Sequence, residues 1–180
     1  DPDPPGPSAG EGGPLEALEA TPARHSTRSF RPDPIPRPVI ERIVDAARLA
    51  ATSGNGQPWE FVAVTDAATR RGFAALADHG RFLADAPVCV AVLCRDSKYY
   101  LEDGSAATEN LLLAAAALGI QSCWVAGDKK PYCADVLEAL GVPAGYRLVS
   151  LVALGRERDR AERAQKRTLE DVLHWEKWKR

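Results

Sequence analysis

The sequence predicts a single domain in which helices and strands alternate, and three observations carry that reading. First, 180 residues with 45% hydrophobic and 27% charged side chains suit one globular unit with a substantial core. Second, some segments repeat apolar residues at three- and four-residue spacing, while others carry short unbroken apolar runs. Third, turn formers such as Thr52-Ser53-Gly54, Gly119, Gly127-Asp128 and Gly141 stand between those segments.

Taken in order, residues 1–14 include nine Pro or Gly and few large apolar side chains, the composition of a flexible tail. A short helix over 15–21 follows, closed by Pro22. Prolines at 32, 34, 36 and 38 keep the next stretch extended. A helix begins near Pro36, with Val39, Ile40, Ile43, Val44 and Ala47 on one stripe. Residues 57–65 read as a strand, 69–78 as a helix, and 87–93 as a second strand, apolar on both faces and therefore central. The longest helix is predicted over 97–118. Its second half is apolar nearly all round, which suits the middle of the molecule or a subunit contact. Residues 121–126 form a third strand. Asp128 is placed to cap a helix running to Leu140, and 146–154 is a fourth strand. A short amphipathic helix is expected over 169–175.

Composition narrows the function. A net charge of −2 argues against a general nucleic-acid binder. No apolar stretch approaches the ~20 residues of a membrane span, and no signal-peptide pattern opens the chain, so the expectation is a cytoplasmic protein without a membrane partner. Cys89 and Cys94, five apart on a strand, point to opposite faces and are poorly placed to bridge each other. None of the four cysteines and three histidines forms a zinc pattern. The nucleotide-loop signatures Gly-x-Gly-x-x-Gly and Gly-x-x-x-x-Gly-Lys are missing, as are His-Glu-x-x-His and Gly-x-Ser-x-Gly.

Two clusters stand out. Arg24-His25-Ser26-Thr27-Arg28 gathers two forked cations, a hydroxyl and an imidazole, donors suited to a phosphate. Ser26 and Thr27 also suit an ordinary turn. The second cluster is Thr52-Ser53-Gly54-Asn55-Gly56-Gln57-Pro58-Trp59, in which Asn55 and Gln57 offer amide donors and acceptors. Asn55 between two glycines is equally a good turn residue.

These segments resemble the FMN-dependent nitroreductase family over roughly residues 24 to 175. Arg24–Arg28 is similar to its Arg-x-Ser-x-Arg element, and the second cluster to its Ser-x-x-Asn-x-Gln-Pro-Trp segment. Asn110 with its Leu and Ala neighbours resembles the central interface helix, and 121–127 the strand that passes the flavin ring. The resemblance implies an α+β fold, a mixed and mainly antiparallel sheet of four or five strands flanked by helices. It implies an interlocked homodimer with C-terminal segments embracing the neighbour. It also implies FMN as cofactor and NADH or NADPH as electron donor. Hydride then passes through flavin N5 to an electron-poor small molecule (a nitroaromatic, quinone or enone) in a ping-pong cycle. Dehydrogenation, dehalogenation, flavin fragmentation or FMN binding without turnover are the alternatives on the same scaffold.

Carried onto this chain, the family pattern gives Arg24, His25, Ser26 and Arg28 to the phosphate and ribityl end. It gives Thr52, Ser53, Asn55 and Gln57 to the flavin of the other subunit. Backbone N–H groups at Ala126 and Gly127 become candidate donors to N5, Gly127 because a bare backbone approaches closely. Lys166 or Arg167 would supply a cation near the reduced ring, unless the segment is a solvated charge run. Trp124 lines the pocket or fills core. His79 and Arg81 fall where relatives meet the pyrimidine ring, on a looser match. No side-chain acid or base is demanded, because the cofactor carries the chemistry.

Overall fold

The computed structural model describes residues 15–160 and 162–178; the expected tail at 1–14 lies outside them. Four strands form one sheet: β1 (Trp59–Val64), β2 (Val88–Arg95), β3 (Gln121–Ala126) and β4 (Tyr146–Gly155). Their order is β1-β2-β4-β3, and every pairing is antiparallel. The one parallel element among the described residues is an isolated bridge between Ser26 and Ser122 on the outer edge of β3.

Strand β2 is buried along seven of its eight residues because both of its faces carry core. Cys89, Ala91 and Leu93 point to one side, and Val88, Val90, Val92 and Cys94 to the other. The first core is closed by α3 (Ala67–Leu76) and α5 (Cys133–Ala139), through Phe73, Ala74 and Val136. The second is closed by α2 (Arg37–Ala47) and α4 (Tyr100–Ala117), through Ile40, Ile43, Ala107 and Leu111. Cys89 and Cys94 therefore lie in different cores, and both are free thiols. A short α1 (Ala17–Ala23) leans on α4, and a four-residue α6 (Leu169–Val172) sits on the C-terminal segment.

Two expectations change. Pro22 lies inside α1 rather than ending it, one residue before the last. Its missing N–H removes the helix bond to the Leu18 carbonyl, and Leu18 is exposed, so water can take that acceptor. Asp128 does not cap α5, which starts five residues later; its carboxylate instead accepts a hydrogen bond from the Tyr100 hydroxyl at 2.5 Å. The apolar half of α4 is covered only in part within the single chain. Leu111, Leu112 and Ala115 are buried within the chain, and Leu113, Ala114 and Ala116 to Leu118 are half-buried. The exposed large apolar side chains among the described residues are Leu18, Leu49, Tyr99 and, in the C-terminal segment, Leu169, Val172, Leu173, Trp175 and Trp178.

Candidate functional site

The site grows from one free sheet edge. Strand β3 pairs with β4 on one side only. Thr27 N–H donates to Ser122 C=O at 3.0 Å, so Ser122 faces away from β4. In an antiparallel ladder successive residues alternate between facing the partner and facing out. The backbone groups of Trp124 and Ala126 therefore face outward too. The Ala126 carbonyl confirms the phase, because it accepts from the Tyr132 hydroxyl and not from β4. Against this edge lies a cleft of about 370 Å³, lined by Arg28, His79, Phe82, Trp124, Ala126 and Tyr132 among others.

The first cluster is split by the fold. Arg28 is exposed and lines the cleft. Arg24 Nε lies 3.6 Å from Glu109 Oε1 on α4, so its charge already has a counterpart. His25 is turned away from the cleft lining: Nε2 is 3.1 Å from Glu157 Oε1, and Nδ1 is 3.1 Å from Ala23 C=O. Thr27, fully buried, donates its hydroxyl to the same Glu157 oxygen at 3.3 Å. His25 and Thr27 thus fasten the segment to the chain leaving β4, and His25, expected at the phosphate end, does not line the cleft. Ser26 stays exposed beside the Cys123 thiol. Burial pushes that thiol up, while Arg28, Ser26 and Arg24 pull the other way.

At the far end of β3, the expected pair of N–H donors narrows to one. Gly127 N–H donates to Val149 C=O at 3.1 Å and is not free for a ligand. Its bare backbone serves packing: a Cβ there would stand 2.8 Å from Leu148 Cγ and 2.9 Å from Leu148 O. Ala126 N–H faces the cleft. Tyr132 and Cys133, at the start of α5, reach back to the carbonyls of Ala126 and Gly127 and fix this corner.

The second cluster sits apart. Residues Ser53–Asn55 form a 3-10 turn leading into β1, at the opposite edge of the sheet from β3. Three strand spacings put those edges about 14 Å apart. Gly54, Asn55 and Gln57 adopt φ of +56°, +56° and +44°, the left-handed region that explains the Gly and Asn. Gln57 Nε2 donates to Asn55 Oδ1 at 3.1 Å, and Gln57 N–H to Thr52 Oγ1 at 3.3 Å. Lys166 and Arg167 are exposed in the C-terminal segment and do not line the cleft; Arg167 donates to Asp171 C=O at 2.5 Å. Asn110, on α4, ties that helix to α2 through Ala46 C=O at 3.2 Å.

Sequence reasoning ranked His79 low and overlooked Phe82, Lys130 and Tyr132, all of which line the cleft. Tyr132 carried a usable signal, an aromatic in an otherwise polar turn just past a strand end. Arg81, named with His79, is not among the lining residues.

Fold and cleft together define an α+β protein that presents a cationic, aromatic-walled pocket along a sheet edge. The Nitroreductase family profile matches residues 22–81 and 77–156, and the chain belongs to that family. It is 36% identical over 173 residues to an Archaeoglobus fulgidus protein provisionally named NADH dehydrogenase/NAD(P)H nitroreductase, covering 91% of this chain and 99% of the relative. It is 31% identical over 173 residues to the 5,6-dimethylbenzimidazole synthase of Rhodospirillum rubrum, covering 76% of this chain and 79% of that one. A crystal structure from Parabacteroides distasonis, given the same provisional name as the Archaeoglobus protein, superposes with a TM-score of 0.84 at 26% identity. That match covers 90% of this chain and 98% of the other.

Proposed function

We propose that this chain is an FMN-dependent oxidoreductase that passes hydride from NADH or NADPH to an electron-poor acceptor such as a nitroaromatic, quinone or enone. The cleft on the open edge of β3 is the observation that carries the reading. Its donor set fits FMN: a guanidinium at Arg28 for the phosphate, aromatic walls at Phe82, Trp124 and Tyr132, and an outward N–H at Ala126 for a ring nitrogen. Bound FMN supplies the hydride-accepting and hydride-donating atom, so the protein need supply no acid or base.

The chain's own residues bind and orient. Arg28 and Ser26 hold the anionic end, with Arg24 adding positive potential from beside Glu109. Asn55 and Gln57 are too far along the sheet to serve the cleft of their own chain, which favours a second copy whose loop completes the site. Leu169, Val172, Leu173, Trp175 and Trp178, all at least 43% exposed, supply the apolar surface for that homodimer. Lys166 or Arg167, outside the cleft in the single chain, would reach the cofactor's pyrimidine edge once the dimer positions that segment. Trp124 forms one wall, leaving the opposite face for nicotinamide and then acceptor in turn.

An absorbance spectrum of untreated protein tests this first: a yellow protein that oxidises NADH or NADPH when a nitro compound or quinone is added supports it. A colourless protein that takes up no added FMN overturns it. The synthase relative favours one second reading, oxidative consumption of the flavin itself. Loss of the flavin spectrum under oxygen and reductant, without an added acceptor, would select it.

A further inference from the structure

The loop from Thr52 to Gln57 is fastened to the body of the protein at very few points. Among the described residues, two hydrogen bonds join it to other elements: Ser53 N–H to Asp103 Oδ1 at 3.0 Å, and the Arg95 guanidinium to Gly56 C=O at 3.3 Å. Its remaining bonds are internal, Asn55 N–H to Thr52 C=O at 3.2 Å and Gly56 N–H to Ser53 C=O at 3.0 Å, with the side-chain pairs given above. The two fasteners differ in kind. Arg95 is exposed and its bond is long, whereas Asp103 is 7% exposed and sits in the first turn of α4. A carboxylate in that turn is favoured by the helix dipole, and it offers the loop a strong, charge-assisted acceptor. Burying a carboxylate is costly unless it is bonded. The Ser53 N–H is the bond that offsets that cost at Asp103.

We infer that Asp103 is a positioning residue: by accepting Ser53 N–H it sets where the Asn55 and Gln57 amides stand, and so controls how firmly the cofactor is held. This rests on the proposed FMN site, to which those two amides would contribute across the dimer. The geometry explains why the link falls on Ser53. It is the first residue of the 3-10 turn, where an N–H has no partner within the turn. From there the chain passes through left-handed Gly54 and Asn55 within the same short turn. Fixing Ser53 sets where that turn sits, and the Asn55–Gln57 side-chain bond at 3.1 Å holds the two amides relative to each other.

Three variants of the full chain test it: Asp103→Ala, Asp103→Asn, which keeps an oxygen acceptor, and Ser53→Pro, which removes the donor. Thr52 already has φ −132° and ψ 154°, the extended backbone that the residue before proline prefers, so Ser53→Pro is compatible with the fold. The readouts are backbone amide exchange over 52–57, the FMN dissociation rate, and the melting temperature of the FMN-free protein. The expected result for Asp103→Ala and Ser53→Pro is about tenfold faster exchange confined to the loop, with about tenfold faster FMN release. Asp103→Asn should restore most of both, and combining Asp103→Ala with Ser53→Pro should add little to either alone.

Unchanged exchange in both single variants overturns the fastening. Faster exchange with unaltered FMN release overturns the control of cofactor binding. If Asp103→Ala fails to fold, Ser53→Pro alone decides by the same readouts. Wild-type protein that never binds FMN is a different failure, seen before any variant is made, and it removes the functional reading instead.

Discussion

Replacing Gly127 with alanine is a sharp test of how the β3 corner is built. Gly127 has an ordinary negative φ, so alanine meets no conformational obstacle, and the effect is steric alone. The new Cβ would lie 2.8 Å from Leu148 Cγ, 2.9 Å from Leu148 O and 2.9 Å from Val149 C. Two of those three atoms are backbone, so no rotamer change can relieve them. To reach ordinary contact, β3 and β4 must part by about half an ångström at the Gly127–Val149 hydrogen bond. Overpacking of this kind costs about 1–3 kcal/mol. The separation also moves Ala126, whose N–H faces the cleft. Gly72 is the control. It lies on an exposed turn of α3, where a new Cβ would meet nothing within 4 Å, and alanine there should be neutral or stabilising by up to about 1 kcal/mol. Urea unfolding of both variants at one protomer concentration, with FMN titration of each, measures the contrast. A Gly127→Ala protein within about 0.5 kcal/mol of wild type and with unaltered FMN affinity would refute the argument.

Other outcomes follow from the same geometry. Arg28→Ala should weaken FMN binding by about 10- to 100-fold, the loss of a charged hydrogen bond, with the melting temperature of the FMN-free protein unchanged; fluorescence titration reads it. Burial pushes the Cys89 and Cys94 thiols up to about 12, Asp103 adding to the effect at Cys94. The folded state then favours the protonated thiol, so this contribution is complete below pH 9 and is lost as pH rises toward 12. Stability should fall across that window, and Cys89→Ala should flatten the slope in pH-dependent urea unfolding. If the proposed dimer is held by the C-terminal segment, Trp175→Ser with Trp178→Ser should shift it toward monomer in light scattering, since these two side chains are 68% and 78% exposed in the single chain.

The order and type of the main elements were legible because apolar periodicity differs sharply between helix and strand. Strand β3 was placed to the residue, bounded by Gly119-Ile120 before it and Gly127 after it. What sequence could not supply was pairing. The Arg24–Arg28 cluster reads as one cationic socket along the chain, yet Glu109 and Glu157, 85 and 132 residues away from Arg24 and His25, divide it in space. The N–H of Gly127 looked available because nothing local claims it, whereas Val149 on the neighbouring strand does. Asp128 read as a helix cap because nothing local claims its carboxylate, whereas the Tyr100 hydroxyl on α4 does. In each case the deciding partner is distant in sequence.

The outer edge of β3 explains why Tyr132 belongs to the site although no motif names it. An uncovered strand edge invites pairing with another chain, and folds usually block it. Here Thr27 takes the Ser122 carbonyl at one end and Tyr132 takes the Ala126 carbonyl at the other, which leaves the middle of the strand facing the cleft. The edge is thus closed to a strand and open to a flat ligand with polar groups along its rim. Tyr132 is buried whereas Ala126 is exposed at the cleft, so Tyr132→Phe removes the donor and leaves the Ala126 carbonyl to water, a loss of about 0.5–1.5 kcal/mol in stability. The Ala126 carbonyl shares its peptide plane with Gly127 N–H, which Val149 still holds, so the change loosens the β3 corner and reaches the preceding Ala126 N–H only through the backbone dihedrals of that residue. The expected outcome is a protein that keeps its phosphate affinity but holds FMN more weakly and shows a shifted flavin absorbance maximum. An unshifted spectrum and unchanged FMN affinity in Tyr132→Phe would mean that the Ala126 N–H does not meet the ring.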